Sequence, residues 1–275
     1  MLDGQVGGSP RLPIVWSSFG RQRVGKTVLL TMAGQYFRGL GNPIRIWNAD
    51  QQNRSHTLSL FFDDAEEVPA GGIEDGKLWI EGRLGHLIEH GYDAVLDVGG
   101  GATGFAKLLQ EVPLLETLEG SGVRLVALFC IGPERADLDY LEEFADGGLF
   151  LPAASVIVLN AGLVLSGRSV MGAFGQVLQH RVVKATVERG TKVAVLPALT
   201  CMAEVTDRGL TFEQAMNGAV GIGERPLSLF DRARVNRWWS RDIPKFFAGL
   251  PAEWLPMPRE INSAGVVQPA AGEAG

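Results

Sequence analysis

Short apolar runs alternate with longer amphipathic segments along most of the chain. The apolar runs predict strands at residues 12–19, 43–49, 94–98, 123–131, 155–160 and 192–196. Helical spacing predicts helices at about residues 26–38, 76–91, 136–145 and 171–189. Runs that are apolar throughout are typical of strands covered on both faces. Because helices separate these strands, the sequence predicts an α/β fold, a doubly wound, mostly parallel sheet with helices on both faces.

The pattern changes beyond about residue 201, where strand-like runs stop. Residues 211–216 and 227–247 have helical spacing, which predicts a helical C-terminal part of the same domain. Residues 1–11 and 251–275 are rich in glycine, proline and alanine, which favours a flexible N-terminus and a disordered tail. We therefore expect one domain over residues 12–250, a size that a single α/β core can reach.

Composition narrows the classes of function. The 275 residues are 46% hydrophobic and 20% charged, with a net charge of −6, so any DNA contact needs a local basic patch. Cys130 and Cys201 form no CxxC pair, which argues against zinc or disulfides and favours two buried free thiols. The sequence shows no signal peptide pattern and no apolar stretch suited to a bilayer, so we expect a cytoplasmic protein with no transmembrane segment.

One segment between the first predicted strand and the first predicted helix carries the clearest chemical signal. It fits the phosphate-binding pattern GxxxxGK[ST] in the strand–loop–helix context that the pattern requires. Backbone N–H groups of such a loop surround phosphate oxygens, and the helix N-terminus adds its positive dipole end. Lys26 is expected to contact the β- and γ-phosphates, and Thr27 to bind Mg²⁺. The predicted nucleotide-binding residues are Gly20, Arg21, Gln22, Arg23, Val24, Gly25, Lys26 and Thr27.

Carboxylates follow two further strands. Asp97 ends the third predicted strand, where it is expected to hold Mg²⁺ through water. The glycines after it, Gly99, Gly100 and Gly101, are predicted to form a switch that approaches the γ-phosphate. Asp50 follows the second strand and is a candidate to position the attacking water, with a possible metal contact. A polar turn cap is the structural alternative for Asp50.

These three elements, in this order, resemble the ParA/MinD branch of P-loop ATPases. In that family an early lysine of the loop reaches across a dimer, and the position holds Arg21 here. Residues 50–53, Asp-Gln-Gln-Asn, are similar to its DxDPQ-like segment. The resemblance implies ATP and Mg²⁺ as cofactors, an ATP-dependent homodimer, slow ATP hydrolysis and an activating protein partner. It also implies that Lys26, Asp50 and Arg21 are the catalytic residues.

Two later residues extend the resemblance. Asn160 ends a predicted strand where several family members bind adenine through an asparagine, and Pro197 follows the next strand, where relatives often place a loop against the base. By itself, an asparagine at a strand end is more often a turn former. The loop departs from the family in Gln22 and Arg23, which replace glycines, and Asn48 replaces the first aspartate of the DxD pattern. These departures predict slow hydrolysis, or nucleotide binding without turnover.

The C-terminal part carries a basic stripe. Arg234, Arg237, Arg241 and Lys245 are three or four residues apart, which on an α-helix places them on one face. Such a face could hold DNA phosphates without reading sequence, and the alternative is a solvated helix surface. Residues 208–215 resemble a segment of the plasmid stability and conjugal-transfer subgroup.

The sequence therefore predicts an ATP-dependent dimerising switch for plasmid partition, conjugal transfer or cargo positioning. One alternative is a P-loop small-molecule ligase of the dethiobiotin-synthetase type, for which the sequence shows no substrate pocket. Another is a nucleotide-binding adaptor without turnover. The acidic residues 63–67 are interpreted as an exposed loop.

Overall fold

A computed structural model describes residues 11–50, 57–99, 103–146 and 150–258. Its strands form one sheet of seven, all parallel, in the order β3-β2-β4-β1-β5-β6-β7. The strands are β1 (Ile14–Phe19), β2 (Arg45–Asn48), β3 (Glu66–Glu67), β4 (Ala94–Asp97), β5 (Arg124–Ile131), β6 (Ser155–Asn160) and β7 (Lys192–Leu196). The predicted parallel sheet is confirmed.

Helices cover both faces of the sheet. Alternate side chains of each central strand point to opposite faces, and each face has its own hydrophobic core beneath the helices. One core holds Trp16 of β1 together with α1 and the C-terminal helices, and the other holds Val15 with the helices from α2 to α8. The predicted doubly wound arrangement is therefore confirmed. The helices are α1 (Lys26–Gly39), α2 (Ile73–His90), α3 (Thr103–Glu111), α4 (Leu114–Gly120), α5 (Asp139–Asp146), α6 (Val170–Ala173), α7 (Gly175–Gln179), α8 (Arg181–Glu188), α9 (Met202–Thr206), α10 (Phe212–Asn217), α11 (Leu229–Arg237) and α12 (Ile243–Ala248). No helix in the described part of the chain is long and apolar enough to cross a membrane.

The acidic segment 63–67 is only in part the exposed loop that we expected, since Asp63 and Asp64 are exposed in a turn. Its last two residues form edge strand β3, where Glu66 pairs in register with Trp47 of β2. Glu66 also forms ion pairs with Arg83 and Arg45. A two-residue acidic strand has no apolar run, so hydrophobic patterning could not reveal it.

Two predicted helices are interrupted. Residues 171–189 form three short helices, α6 to α8. Phe174 separates α6 from α7, and His180, which takes an extended conformation with φ −65° and ψ 144°, separates α7 from α8. The segment 227–247 contains a π-helical turn, Trp238–Asp242, between α11 and α12. This wider turn comes directly before Pro244, whose nitrogen cannot bond the carbonyl four residues earlier.

A buried carboxylate joins distant segments at the amino ends of the strands. Asp93 is 2% exposed and accepts hydrogen bonds from the backbone N–H of Ile14 at 2.9 Å and from Asn42 Nδ2 at 2.7 Å, and it forms an ion pair with Arg11. Asn42 Nδ2 also donates to the carbonyl of Pro256, 2.7 Å away. The C-terminal segment is thereby fixed against the fold.

We expected a disordered tail to begin at residue 251, but the residues from 251 to 256 pack against the fold. Trp254 is buried, and its carbonyl accepts a hydrogen bond from Trp16 Nε1 at 2.7 Å. A short 3₁₀ turn, Ala252–Trp254, precedes this contact. The expectations for residues 1–10 and 259–275 lie outside the described residues.

Candidate functional site

The predicted site residues meet at the carboxyl ends of the central strands. β1 lies between β4 and β5, and the chain leaves β1 for β2 on one side and later returns to β5 on the other. Such a reversal of strand order opens a crevice at the carboxyl edge, where open α/β sheets bind ligands. The loop after β1, Asp97 at the end of β4 and Asn160 at the end of β6 all lie on this edge.

The loop between β1 and α1 requires glycine at two positions. Gly20 has φ 139°, and a Cβ there would lie 2.5 Å from the carbonyl oxygen of Cys130. Gly25 has φ 98°, and a Cβ there would collide with Asn160 Nδ2. Arg23 takes a left-handed conformation, φ 66°, without being glycine. The backbone thus curls tightly in front of the N-terminus of α1, as a phosphate-binding loop must.

Lys26, the first residue of α1, reaches back into this loop. Its ammonium Nζ donates to the carbonyls of Gly20 at 3.0 Å and Arg21 at 2.7 Å, and the side chain is buried. Burial lowers the pKa of Lys26, and the nearby Cys130 and Asp97 raise it only in part. The two donated hydrogen bonds hold the lysine in the concavity of the loop, where incoming phosphate oxygens could replace the carbonyls.

Thr27 and Asp97, the two residues that we predicted to hold Mg²⁺, are hydrogen-bonded to each other. Thr27 Oγ1 donates to Asp97 Oδ2 at 2.7 Å, and the backbone N–H of Gly99 donates to Asp97 Oδ1 at 3.1 Å. Asp97 is 1% exposed. Burial raises the pKa of this carboxyl, and the hydrogen bonds from Thr27 and Gly99 counteract the shift. The pair has the spacing needed for a hydroxyl and a water-linked carboxylate around one Mg²⁺.

Asp50 lies against the start of the predicted switch. Gly99 has φ 71°, and a Cβ there would lie 2.5 Å from Asp50 Cγ. The backbone N–H of Asp50 donates to Asn48 Oδ1 at 3.2 Å, which is the polar turn that we considered as the alternative. Both roles are compatible, because the turn uses the backbone of Asp50. Gly100, Gly101 and residues 51–53 lie outside the described residues.

Asn160 is hydrogen-bonded to the loop between β1 and α1. Its Nδ2 donates to the carbonyl of Val24 at 2.8 Å, and its Oδ1 accepts from the backbone N–H of Gly162 at 2.9 Å. We expected this side chain to contact adenine and did not foresee its contact with the loop. Pro197 follows Leu196, the register partner of Asn160, so the two predicted base contacts come from neighbouring strands. The carbonyl of Pro197 accepts a hydrogen bond from Trp238 Nε1 at 2.8 Å.

Arg21 points to a carboxylate of its own chain. Its Nη1 lies 3.2 Å from Asp137 Oδ1 and 3.8 Å from Glu134 Oε2. Burial raises the pKa of Asp137, and hydrogen bonding to the backbone of Glu134 and the charge of Arg21 oppose that rise. Sequence reasoning missed Asp137, which lies on a different strand connection from Arg21.

The four residues of the basic stripe are exposed. They are Arg234, Arg237, Arg241 and Lys245. A π-helical turn, Trp238–Asp242, lies within the segment that we expected to be one regular helix, and that the four residues share one face stays a prediction. Arg234 is also paired with Asp231 at 2.5 Å, which leaves less of its charge for a ligand.

The described residues contain no group of three or more His, Cys, Asp or Glu side chains able to hold a metal ion. Cys130 and Cys201 are buried and free, as predicted. A magnesium ion at Thr27 and Asp97 would therefore need phosphate oxygens and water to complete its octahedron, which is its usual mode of binding.

Comparisons with known proteins give distant similarity only. No family model and no curated protein matches the sequence. Among solved structures, the cell division protein FtsY of Thermotoga maritima is 14% identical with a TM-score of 0.45, over 86% of this chain and 71% of that chain. The MinD cell division protein of Aquifex aeolicus is 14% identical with a TM-score of 0.44, over 83% of this chain and 97% of that chain. Both are similar to this chain in the arrangement of strands and helices.

Proposed function

We propose that the chain binds ATP with Mg²⁺ in the loop between β1 and α1, hydrolyses it slowly and uses it to control a homodimer. The observation that carries the proposal is the convergence of Lys26 with the 2.7 Å Thr27–Asp97 hydrogen bond at the carboxyl edge of the sheet. A lysine inside a glycine-bounded loop and a hydroxyl–carboxylate pair beside it are the protein parts that phosphoryl transfer requires.

Each residue has a defined role in this proposal. The backbone N–H groups of the loop and Lys26 hold the phosphates, and Thr27 and Asp97 hold the metal, which supplies charge stabilisation between the β- and γ-phosphates. Asp50 orients the attacking water, since in-line transfer depends mainly on position. Gly99 joins Asp50 to Asp97, so a change at the γ-phosphate position can reach both carboxylates.

The first experiment is titration calorimetry of ATP with Mg²⁺ on the wild type and on Lys26→Ala. We expect the variant to lose measurable binding, because the ammonium is the only buried cation at the loop among the described residues. Lys184→Ala, which removes an exposed lysine of α8, is the matched control and should bind as the wild type does. Unchanged ATP affinity in Lys26→Ala would reject the phosphate-binding assignment.

Turnover and dimerisation are tested separately. Phosphate release measured with and without DNA distinguishes a slow ATPase from an adaptor, and Asp50→Ala should keep binding but lose release. Light scattering with ADP and with ATP and Mg²⁺ tests the switch. If Arg21 contacts the partner subunit's phosphates, it must leave Asp137, 3.2 Å away, and Arg21→Ala should prevent an ATP-dependent rise in mass. An ATP-dependent dimer that Arg21→Ala leaves intact would exclude this role.

Partition of DNA, conjugal transfer or cargo positioning is the biological role that we propose for such a switch. An activating protein partner and a cytoplasmic location belong to the same proposal. The exposed side chains of Arg237, Arg241 and Lys245 support a non-specific contact with DNA phosphates.

A further inference from the structure

The two edges of the sheet differ in length and chemistry. Edge strand β3 has only two residues, Glu66 and Glu67, and an edge that is short and charged resists pairing with other strands. The opposite edge strand, β7, has five residues, including Val193 and Val195. Within the described residues, no strand pairs with the outer side of β7. The backbone of β7 therefore offers a free pairing edge.

Two side chains of β7 are more exposed to solvent than is usual in a parallel sheet. Val193 is 42% exposed and Val195 is 39% exposed, whereas their register partners on β6, Ile157 and Leu159, are at most 1% exposed. Parallel sheets are normally covered on both faces, and an exposed β-branched edge favours association. Ala194 points to the opposite face, where it packs against the core beneath the C-terminal helices.

A groove lies along the outer edge of β7, beside the π-helical turn and α12. Val193, Val195, Pro197 and Phe246 contribute its apolar lining, and Asp242 and Lys245 contribute one negative and one positive charge. The volume of the groove is about 350 Å³. A surface that carries both charges beside an apolar strand is complementary to a copy of itself turned by a two-fold axis.

We propose that β7 is an interface for a second copy of this chain, paired antiparallel with β7 of the partner. A two-fold axis at Ala194 would place Val193 opposite Val195 of the partner subunit, so four valines would cover one another on one face. Lys245 would face Asp242 of the partner subunit on the other face. This interface is distinct from the carboxyl edge of the sheet and does not require nucleotide.

The first test is the mass of the nucleotide-free protein over a wide range of concentrations, by analytical ultracentrifugation. The wild type should reach a mass of about two chains. Val193→Lys should remain a monomer, because a charge on an edge strand opposes pairing. Val187→Lys is the matched control, since Val187 on α8 is also 42% exposed but lies outside β7, and it should dimerise as the wild type does.

The second test does not depend on how the lysine variants fold. In Ala194→Cys the two introduced thiols would face each other across the two-fold axis, and directly opposed strand residues lie within reach of a disulfide. A mild oxidant should convert this variant to a covalent dimer, whereas Val187→Cys should stay monomeric. The native cysteines are buried and should not contribute.

A monomeric mass at every concentration, together with no cross-linking of Ala194→Cys, would overturn the proposal. A dimer that forms only after removal of residues 259–275 would also overturn it, because the edge would then belong to the chain's own C-terminal segment. Loss of ATP binding in Lys26→Ala leaves this interface unaffected, so failures of the two proposals are distinguishable.

Discussion

Arg23 has a backbone conformation that its residue type disfavours. Its φ of 66° lies in the left-handed region, where the Cβ of an L-residue crowds the following carbonyl. The side chain is exposed, so no packing compensates for this local strain. The loop therefore keeps a glycine-like shape at a position where glycine is absent.

We expect Arg23→Gly to stabilise the nucleotide-free protein by about 1 kcal/mol, because glycine takes this conformation without steric cost. Arg23→Ala removes the same side chain but keeps the Cβ, so it separates strain from charge and should give no such gain. Urea unfolding of both variants provides the measurement. Equal stability of the two variants would show that the strain is negligible.

The buried carboxyl of Asp97, which we propose binds the metal, also affects the stability of the fold. Burial raises its pKa, so the folded state holds the proton more tightly than the unfolded chain does. The contribution of Asp97 to stability is therefore fully present below the ordinary aspartate pKa and is lost as the pH rises through the raised pKa of the folded state. Ionisation of this carboxyl therefore destabilises the protein when no cation is bound.

We accordingly expect Asp97→Asn to raise the melting temperature of the nucleotide-free protein at neutral pH and to abolish the further rise given by ATP with Mg²⁺. The asparagine oxygen can still accept from Gly99, and its NH₂ can donate to Thr27. Thermal melts with and without ligand measure both effects, and exposed Asp63→Asn is the control. A lower melting temperature without ligand would contradict the expected direction.

The position of the loop between β1 and α1 could be predicted from the sequence, because its residues are contiguous and follow a known pattern. It did not predict the contacts of Asn160 with Val24 or of Arg21 with Asp137, which join residues 136 and 116 positions apart. Those contacts depend on which strands are neighbours. Hydrophobic periodicity predicts that a segment is a strand, but it does not predict the position of that strand in the sheet.

At the scale of elements, the long C-terminal helix differs most from its prediction. The periodicity of residues 227–247 favours one regular helix, but Pro244 and the π-helical turn before it change the angular position of everything downstream. The apolar side chains still reach the core, with Trp238 2% exposed and Phe247 2% exposed. The apolar side chains are thus buried although the helix is not regular.

If this region binds DNA, its basic residues should contribute unequally. We expect Arg237→Gln and Arg241→Gln each to weaken binding and to reduce the salt dependence by about one counterion. Arg234→Gln should have a smaller effect, because Arg234 is paired with Asp231. Fluorescence anisotropy over a range of salt concentrations measures this, with Lys184→Gln as the control. Equal effects of all three would argue against the ion pair as the cause.

The elements that the sequence did not predict are short or lack a strong pattern. β3 has two residues, and α3 and α4 follow each other with only Val112 and Pro113 between them. α3 packs closely on α2, since a Cβ at Gly104 would lie 3.1 Å from the backbone nitrogen of Lys77. Such elements are stabilised by tertiary contact more than by their own propensity, which is why local signals are weak.

For the whole molecule, Asp93 is the centre of a polar cluster that holds distant parts of the chain together. It bonds Ile14 and Asn42 and pairs with Arg11, and Asn42 in turn holds Pro256. We expect Asp93→Ala to destabilise the protein by about 3 kcal/mol, because it leaves an N–H, an amide and a guanidinium without their partner. Urea unfolding, with exposed Asp63→Ala as the control, provides the test. A loss no larger than that of the control would mean that water replaces the carboxylate.

The same cluster places the two ends of the described chain side by side. Arg11 Nη1 lies 3.5 Å from the carbonyl oxygen of Leu255, at the amino ends of the strands, while Lys26 and Asp97 lie at the carboxyl ends. A fluorescent protein or a surface anchor fused directly at residue 11 or just after residue 255 would therefore leave from the side opposite the phosphate loop. For the same reason a short linker could join the ends, and new termini could be opened in an exposed loop elsewhere. The fold is thus suited to circular permutation without moving the residues that we assign to ATP.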